Sequence, residues 1–239
     1  MKNIYQEIIN SKAKGIKLLA ILIDPDKVSL GKSLNLIEKI NQSPATHIFV
    51  GGSSFNGNHL DELILELKSK IRLPILLFPG NPSQISDQAD GILFLNLISG
   101  RNPEYLIEHQ VNAAPIIEKT ALEVISTGYL LIENGKQTAV ERVSQTKPLD
   151  RNNIEYVCQT AKAGEYMGNK LIYLEAGSGA EKAIPLEMIE KVSQKIIIPL
   201  LVGGGIRTKT AIENAFKAGA DLVVIGTAFE NNPNFFEEC

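Results

Sequence analysis

IPLLVGGG at 198–205 and ADLVVIGT at 220–227 are the stretches whose reading decides the fold. Each is a short, branched, nearly continuous apolar run that ends in glycine. Such runs suit parallel strands buried on both faces, which cannot alternate apolar with polar residues. The same pattern recurs upstream in KLLAILID (17–24), THIFVGG (46–52), PILLFPG (74–80), GILFLNL (91–97), EVISTGYLLI (123–132) and KLIYLEAG (170–177). Most of these runs are separated by amphipathic stretches. In NHLDELILELKSK (58–70), Leu60, Leu63, Ile64 and Leu67 share one helical face. PLEMIEKVSQ (185–194) opens with a proline at a first helical position, and TKTAIENAFKAGA (208–220) starts with a threonine cap and stops at Gly219. Strand–helix alternation repeated eight times in 239 residues predicts an α/β fold, a (β/α)8 TIM barrel of the phosphate-binding type, as one domain over 1–239. A doubly wound open sheet is the rival, and eight units in a chain this short favour the barrel.

Two segments break the rhythm. PEYLIEHQ (103–110) reads as a helix, but VNAAPIIEKTAL (111–122) is longer than a simple connection. ENGKQTAVERVSQTKPLD (133–150) is polar and turn-rich without a helical period, and is read as an extension of the fifth βα unit in the form of a short hairpin.

Composition excludes several classes. Hydrophobic residues at 44% and charged residues at 21% are an ordinary globular balance, enough for a large core. A net charge of −3 gives no basic field for nucleic acid. His47, His59 and His109 have no metal-ligand spacing, and Cys158 and Cys239 make no disulfide framework, so a reducing cytoplasm is the simpler setting. The stretch MKNIYQEIINSKAKG (1–15) is amphipathic rather than a signal peptide, and no apolar run is long enough to span a bilayer.

In such barrels catalysis sits at the carboxyl ends of the strands, and phosphate binds after strands seven and eight. Gly203, Gly204 and Gly205 follow the seventh run, and Gly226 and Thr227 the eighth. Glycines let backbone N–H groups approach phosphate oxygens, and a helix N-terminus adds favourable charge. Alone, the three glycines would also fit a plain βα turn; two such turns at adjacent strand ends favour an anion site. The sixth run ends in Glu175, Ala176, Gly177 and Ser178, with further donors in Gly177 to Gly179. Glu175, a carboxylate beside an anion site, reads as a base near a substrate hydroxyl, unless it pairs structurally with Arg207 or Lys182. Asp24 and Asp26 close the first run and suit Mg²⁺, which takes few carboxylates plus water and substrate oxygens; an Asp-Pro turn or helix cap explains them equally. Ser53 and Ser54 lie at the next strand end as further oxygen donors.

Together these strand ends resemble the geranylgeranylglyceryl phosphate synthase family, which includes the bacterial heptaprenylglyceryl phosphate synthases. The resemblance rests on LIDPDK (22–27), VGGSS (50–54), LFPGNPSQIS (77–86), LFLNLISGRNP (93–103), GYLLI (128–132), YLEAGSGA (173–180), VGGGIRT (202–208) and DLVVIGTAFE (221–230). They run through nearly the whole chain in family order, and DPDK, PGNPSQIS and YLEAGSGA in combination are the specific part. The resemblance implies transfer of a prenyl group, geranylgeranyl in the first instance, from its diphosphate to the C3 oxygen of sn-glycerol 1-phosphate. It implies a glycerol phosphate site at Tyr173, Leu174, Glu175, Ala176, Gly177, Ser178, Gly204, Gly205, Gly226 and Thr227. It further implies Mg²⁺ at Asp24 and Ser53, Glu175 as proton acceptor, transient contact with a membrane surface and self-association. The prenyl tail needs an apolar groove, with Phe78, Ile85, Leu95, Leu97, Tyr105 and Tyr129 as candidates. Two other classes stay open: a phosphosugar isomerase or aldolase on the same anion site, although only Lys27 offers a strand-end amine, and a non-catalytic phosphometabolite-binding barrel.

Overall fold

Each of the eight apolar runs forms a strand: β1 (Leu18–Ile23), β2 (His47–Val50), β3 (Ile75–Leu77), β4 (Gly91–Asn96), β5 (Glu123–Leu131), β6 (Leu171–Glu175), β7 (Leu200–Gly203) and β8 (Leu222–Ile225). In the computed structural model, which describes residues 3–28, 34–52, 59–232 and 234–237, every strand pairs in parallel with the next. β8 returns to β1 through Leu18↔Leu222 and Ala20↔Val224, so the barrel is closed and has no free edge. Successive side chains point to opposite sides. Leu18, Ala20, Phe49, Leu76, Leu93, Ile125, Leu171, Tyr173, Leu201 and Val224 fill the interior. Their neighbours, such as Leu19, Ile48, Ile172, Leu174 and Val202, pack outward against the helices.

The outer layer is α1 (Ile4–Ala13), α2 (Leu34–Gln42), α3 (Leu60–Lys70), α4 (His109–Ile117), α5 (Ala139–Ser144), α6 (Ile154–Tyr166), α7 (Leu186–Lys195), α8 (Lys209–Lys217) and the short α9 (Thr227–Asn231). The expected face of α3 is buried at Leu60, Leu63, Ile64 and Leu67, and Thr208 caps α8 by accepting from Ala211 N. Pro185 sits one position earlier than expected, as the cap of α7.

Three expectations need correction. The stretch at 111–122 is mostly helix: one π-helical turn at Glu104–Glu108 leads straight into α4, which runs through Pro115 to Ile117. The fifth-unit extension is not a hairpin. Thr138 accepts from Glu141 N and nucleates α5, whose Ala139, Val140 and Val143 share the side turned to the barrel mouth. The alternation also fails once, because residues 78–90 between β3 and β4 hold no helix. Two prolines and an asparagine turn, with Ser83 N and Oγ both on Asn81 Oδ1 at 2.8 and 2.6 Å, satisfy that loop locally. Without a helix over it, the end of β4 at Phe94 to Asn96 is only half buried.

The N-terminal end of the barrel is stoppered by α1. Ile4 and Ile8 insert into the interior cluster, and the Glu123 carboxylate at the start of β5 accepts from Ile4 N at 2.6 Å and Tyr5 N at 2.9 Å. A carboxylate there also meets the positive end of the helix dipole.

Near that end, His47 shares the inward face of β2 with Phe49. Its Nδ1 lies 2.8 Å from Thr46 Oγ1, its Nε2 has no partner, and burial pushes its pKa down to about 4. The unfolded chain takes up this proton near the usual 6.5, so stability present above pH 6.5 is lost as pH falls toward 4. The unfolding free energy is expected to drop by about 2 kcal/mol from this group between pH 7 and pH 4.5. Denaturant titrations at both pH values check this. The drop should shrink by that amount in His47→Asn, and an unchanged drop would remove His47 as its source.

Candidate active site

β6 brings the first groups to the C-terminal mouth. Its alternation turns Tyr173 and Glu175 inward and sends Leu174 and Ala176 outward into the helix-facing core. Within that run the cavity at the mouth is therefore lined by Tyr173, Glu175, Gly177 and Ser178, and Leu174 and Ala176 can face it only through backbone. Glu175 is 6% exposed, and its Oε1 accepts from Gly177 N at 2.7 Å. Burial pushes its carboxyl above the ordinary carboxylate range, and the nearby Tyr173 hydroxyl and the Gly177 N–H partly offset the rise. The Tyr173 hydroxyl nonetheless lacks well-formed hydrogen-bond geometry to any protein group. Burial, with Glu175 close by, holds the Tyr173 and Tyr129 hydroxyls protonated, well above the usual phenol range. Glu175 has no ion pair among the described residues: Arg207 Nη2 donates instead to Ala180 O at 2.6 Å, so the structural pairing with Arg207 or Lys182 is not formed. A buried carboxylate with a raised pKa and no counter-cation is suited to receive a proton.

The glycine turns after β6, β7 and β8 meet at this point. A Cβ on Gly204, whose φ is +79°, would fall 2.4 Å from Glu175 Oε1 and 2.7 Å from Gly177 N. Only glycine permits that approach. Ser178 Oγ lies 3.3 Å from Thr227 Oγ1, which joins the β6 and β8 turns. Among the described residues, the backbone N–H groups of Ser178, Gly179, Gly204, Gly205 and Thr227 make no hydrogen bond, whereas Gly177 N is already held by Glu175. Five unengaged N–H groups on three adjoining turns are donors of the kind an anion takes. Gly226 borders them as the cap of α9.

At the end of β1, next to the β8 turn, Asp24 caps a 3-10 turn (Pro25–Lys27) by accepting from Asp26 N at 3.1 Å. Lys27 Nζ lies 3.4 Å from Asp24 Oδ2 and 2.8 Å from Glu230 Oε2. The capping reading thus holds, while Asp24 and Glu230 still face the cavity. Among the described residues no three His, Cys, Asp or Glu side chains cluster as a metal site. Ser53 and Ser54, like Cys239, lie outside the described residues.

From the glycine turns, one cavity of about 920 Å³ continues past Glu175 and Tyr173 over the half-buried end of β4. That volume is at the top of the roughly 300–1,000 Å³ common for ligand sites. All six apolar and aromatic candidates, Phe78, Ile85, Leu95, Leu97, Tyr105 and Tyr129, line it. Sequence reasoning missed the other wall, Ala139, Val140 and Val143 of α5, although their i, i+1, i+4 spacing is helical. It also assigned no role to Glu230 or to Asn134, whose Nδ2 donates to Ala176 O at 2.6 Å.

Comparison with known proteins follows the same lines. A model described as the PcrB family matches residues 11–238. This chain belongs to the PcrB family. A relative named geranylgeranylglyceryl phosphate synthase from Flavobacterium johnsoniae is 61% identical over 99% of this chain and 98% of its own. Another of that name, from Zunongwangia profunda, is 50% identical over 97% of this chain and 98% of its own. A crystal structure of (S)-3-O-geranylgeranylglyceryl phosphate synthase from Thermoplasma acidophilum in complex with substrate sn-glycerol-1-phosphate superposes with a TM-score of 0.92. It is 32% identical, over 99% of this chain and 95% of that one. The barrel of this PcrB-family chain thus has the fold of that structure.

Proposed function

We propose that this PcrB-family protein is a prenyltransferase that moves a long prenyl group, geranylgeranyl in the first instance, from its diphosphate to the C3 oxygen of sn-glycerol 1-phosphate. One observation carries the reading: a single cavity joins an anion cradle to an apolar arm, with Glu175 at the junction. An isomerase or aldolase of small phosphosugars has no use for such an arm, and Lys27, the strand-end amine that the sequence offered, is tied to Glu230 and Asp24.

The residues divide the work. The N–H groups of Gly204, Gly205, Thr227, Ser178 and Gly179 hold the phosphate, and Tyr173 and Glu175 face the glycerol hydroxyls. The C3 oxygen forms its bond to the prenyl C1 as the bond from C1 to the diphosphate oxygen breaks. The hydroxyl proton passes to Glu175, and the electron pair leaves with diphosphate. Phe78, Leu95, Tyr105 and Val140 hold the tail along the arm and keep water from the reacting carbon.

Asp24 fits a Mg²⁺ of the kind held by one carboxylate, substrate oxygens and water, with Ser53 as a further oxygen donor. When bound, Mg²⁺ supplies neutralisation of the charge that builds on the diphosphate leaving group. Among the described residues no helix is long and apolar enough to cross a membrane. A donor with a long apolar chain resides at a membrane surface, and the protein collects it there by transient contact.

The test is to incubate the protein with sn-glycerol 1-phosphate, Mg²⁺ and prenyl diphosphates of several lengths, then extract with organic solvent. An ether-linked prenylglyceryl phosphate and one equivalent of diphosphate are expected, and excess chelator should abolish both. No extractable product with any donor length would overturn the proposal. Product formed equally well in chelator would overturn the Mg²⁺ assignment alone.

A further inference from the structure

Gly177 N–H, the protein's backbone donor to Glu175, belongs to the peptide that joins Ala176 to Gly177. That peptide is planar and trans, so its carbonyl and its N–H point in opposite directions. On the N–H side lies Glu175 Oε1, at 2.7 Å; on the carbonyl side lies Asn134 Nδ2, at 2.6 Å from Ala176 O. Because a carbonyl can only accept, the nitrogen end of the Asn134 amide must face it. Asn134 is 1% exposed, and its Oδ1 finds no partner. The bond from Nδ2 to Ala176 O is the one this buried amide makes among the described residues.

Gly177 has φ of +99°, a conformation that glycine favours, and no side chain of its own resists rotation of the preceding peptide. A flip would present the Ala176 carbonyl to Glu175 in place of the N–H and set two acceptors against each other. Asn134 stands just beyond the end of β5, in the extension of the fifth βα unit. The same segment brings Thr138, whose Cγ2 lies 2.5 Å from where a Gly177 Cβ would be.

We infer that Asn134 is a positioning residue for the proposed proton acceptor, locking the Ala176–Gly177 peptide so that its N–H stays on Glu175. The inference rests on the function proposed above. A hydrogen bond to the carbonyl also polarises the peptide and strengthens its N–H as a donor to the carboxylate. Losing that donor takes away one of the two groups that hold the Glu175 carboxyl down against burial. The other titratable groups facing it are Tyr173 on its own strand and Tyr129 on β5, and both stay neutral in the working range.

The experiment measures kcat and KM for sn-glycerol 1-phosphate against pH in wild type, Asn134→Ala and Asn134→Asp, with thermal unfolding as a control for folding. In Asn134→Ala, kcat at neutral pH is expected to fall about 10-fold or more, with KM changed less. The acidic limb of its kcat/KM profile should move to higher pH. In Asn134→Asp, only the protonated acid can donate to Ala176 O, so its rate relative to Asn134→Ala should rise as pH falls. A merely structural role moves neither the limb nor that ratio. An active wild type with an unshifted limb in Asn134→Ala overturns the inference and leaves the function standing. If Asn134→Ala does not fold, an Asn134→Asp profile superposable on wild type overturns it. A wild type that makes no ether lipid overturns the function, and this inference with it.

Discussion

Glu175→Gln is expected to lower kcat by about 10²–10⁴-fold while KM for sn-glycerol 1-phosphate changes by only a few-fold. The substitution keeps the shape and an oxygen that can accept from Gly177 N, so the 2.7 Å contact and the loop it holds survive. What it removes is the base. The carboxylate is buried, has no counter-cation among the described residues, and sits where burial raises its proton affinity. A group in that state gains most from taking a proton as the acceptor hydroxyl loses one. Steady-state kinetics with saturating prenyl diphosphate provide the measurement. A Gln variant turning over near the wild-type rate would reduce Glu175 to an orienting group and make diphosphate departure sufficient by itself.

The second large effect is expected at Gly204. In Gly204→Ala, the new methyl would lie 2.4 Å from Glu175 Oε1, 2.7 Å from Gly177 N and 2.8 Å from Ala176 N. The last two are backbone and cannot step aside, and the φ of +79° is itself unfavourable for alanine. The β6 and β7 turns must separate, which pulls apart the cradle and displaces the base together. Both kcat and phosphate affinity should therefore collapse, by about 10³-fold or more in kcat/KM, in contrast to the selective loss at Glu175. Titration with sn-glycerol 1-phosphate alone distinguishes the two: Glu175→Gln should bind it, and Gly204→Ala should not. Near-normal binding by Gly204→Ala would mean that the anion sits elsewhere.

The contrast between these two residues also shows how far the sequence could be read. Strands such as Leu200–Gly203 announce themselves because both faces are buried, which forces a continuous apolar run, and the glycines must follow where backbones approach. The Gly204 turn and Glu175 were legible for that reason, as were the six cavity candidates. α5 was not legible as a helix: it spans six residues and carries a buried glutamate and serine, so its period is too short to stand out. The missing third helix was overlooked because the PGNPSQIS loop was weighed as a motif and not as an interruption. Asn134 was out of reach, since its partner lies 42 residues away and nothing local marks an asparagine in a polar stretch. The inward and outward alternation that separates Glu175 from Leu174 follows from strand period alone and is a site detail that sequence could have supplied.

The helix absent between β3 and β4 has a thermodynamic consequence. Elsewhere in the barrel, a helix built from the chain itself shields the outer face of the strands from water. Over the end of β4, at Phe94, that covering is incomplete, and on the proposed function a prenyl chain completes it. The substrate then acts as a removable structural element of the fold. Its apolar surface and that of the barrel leave water together, so occupancy and folding are linked equilibria, and each stabilises the other in proportion to the logarithm of free ligand.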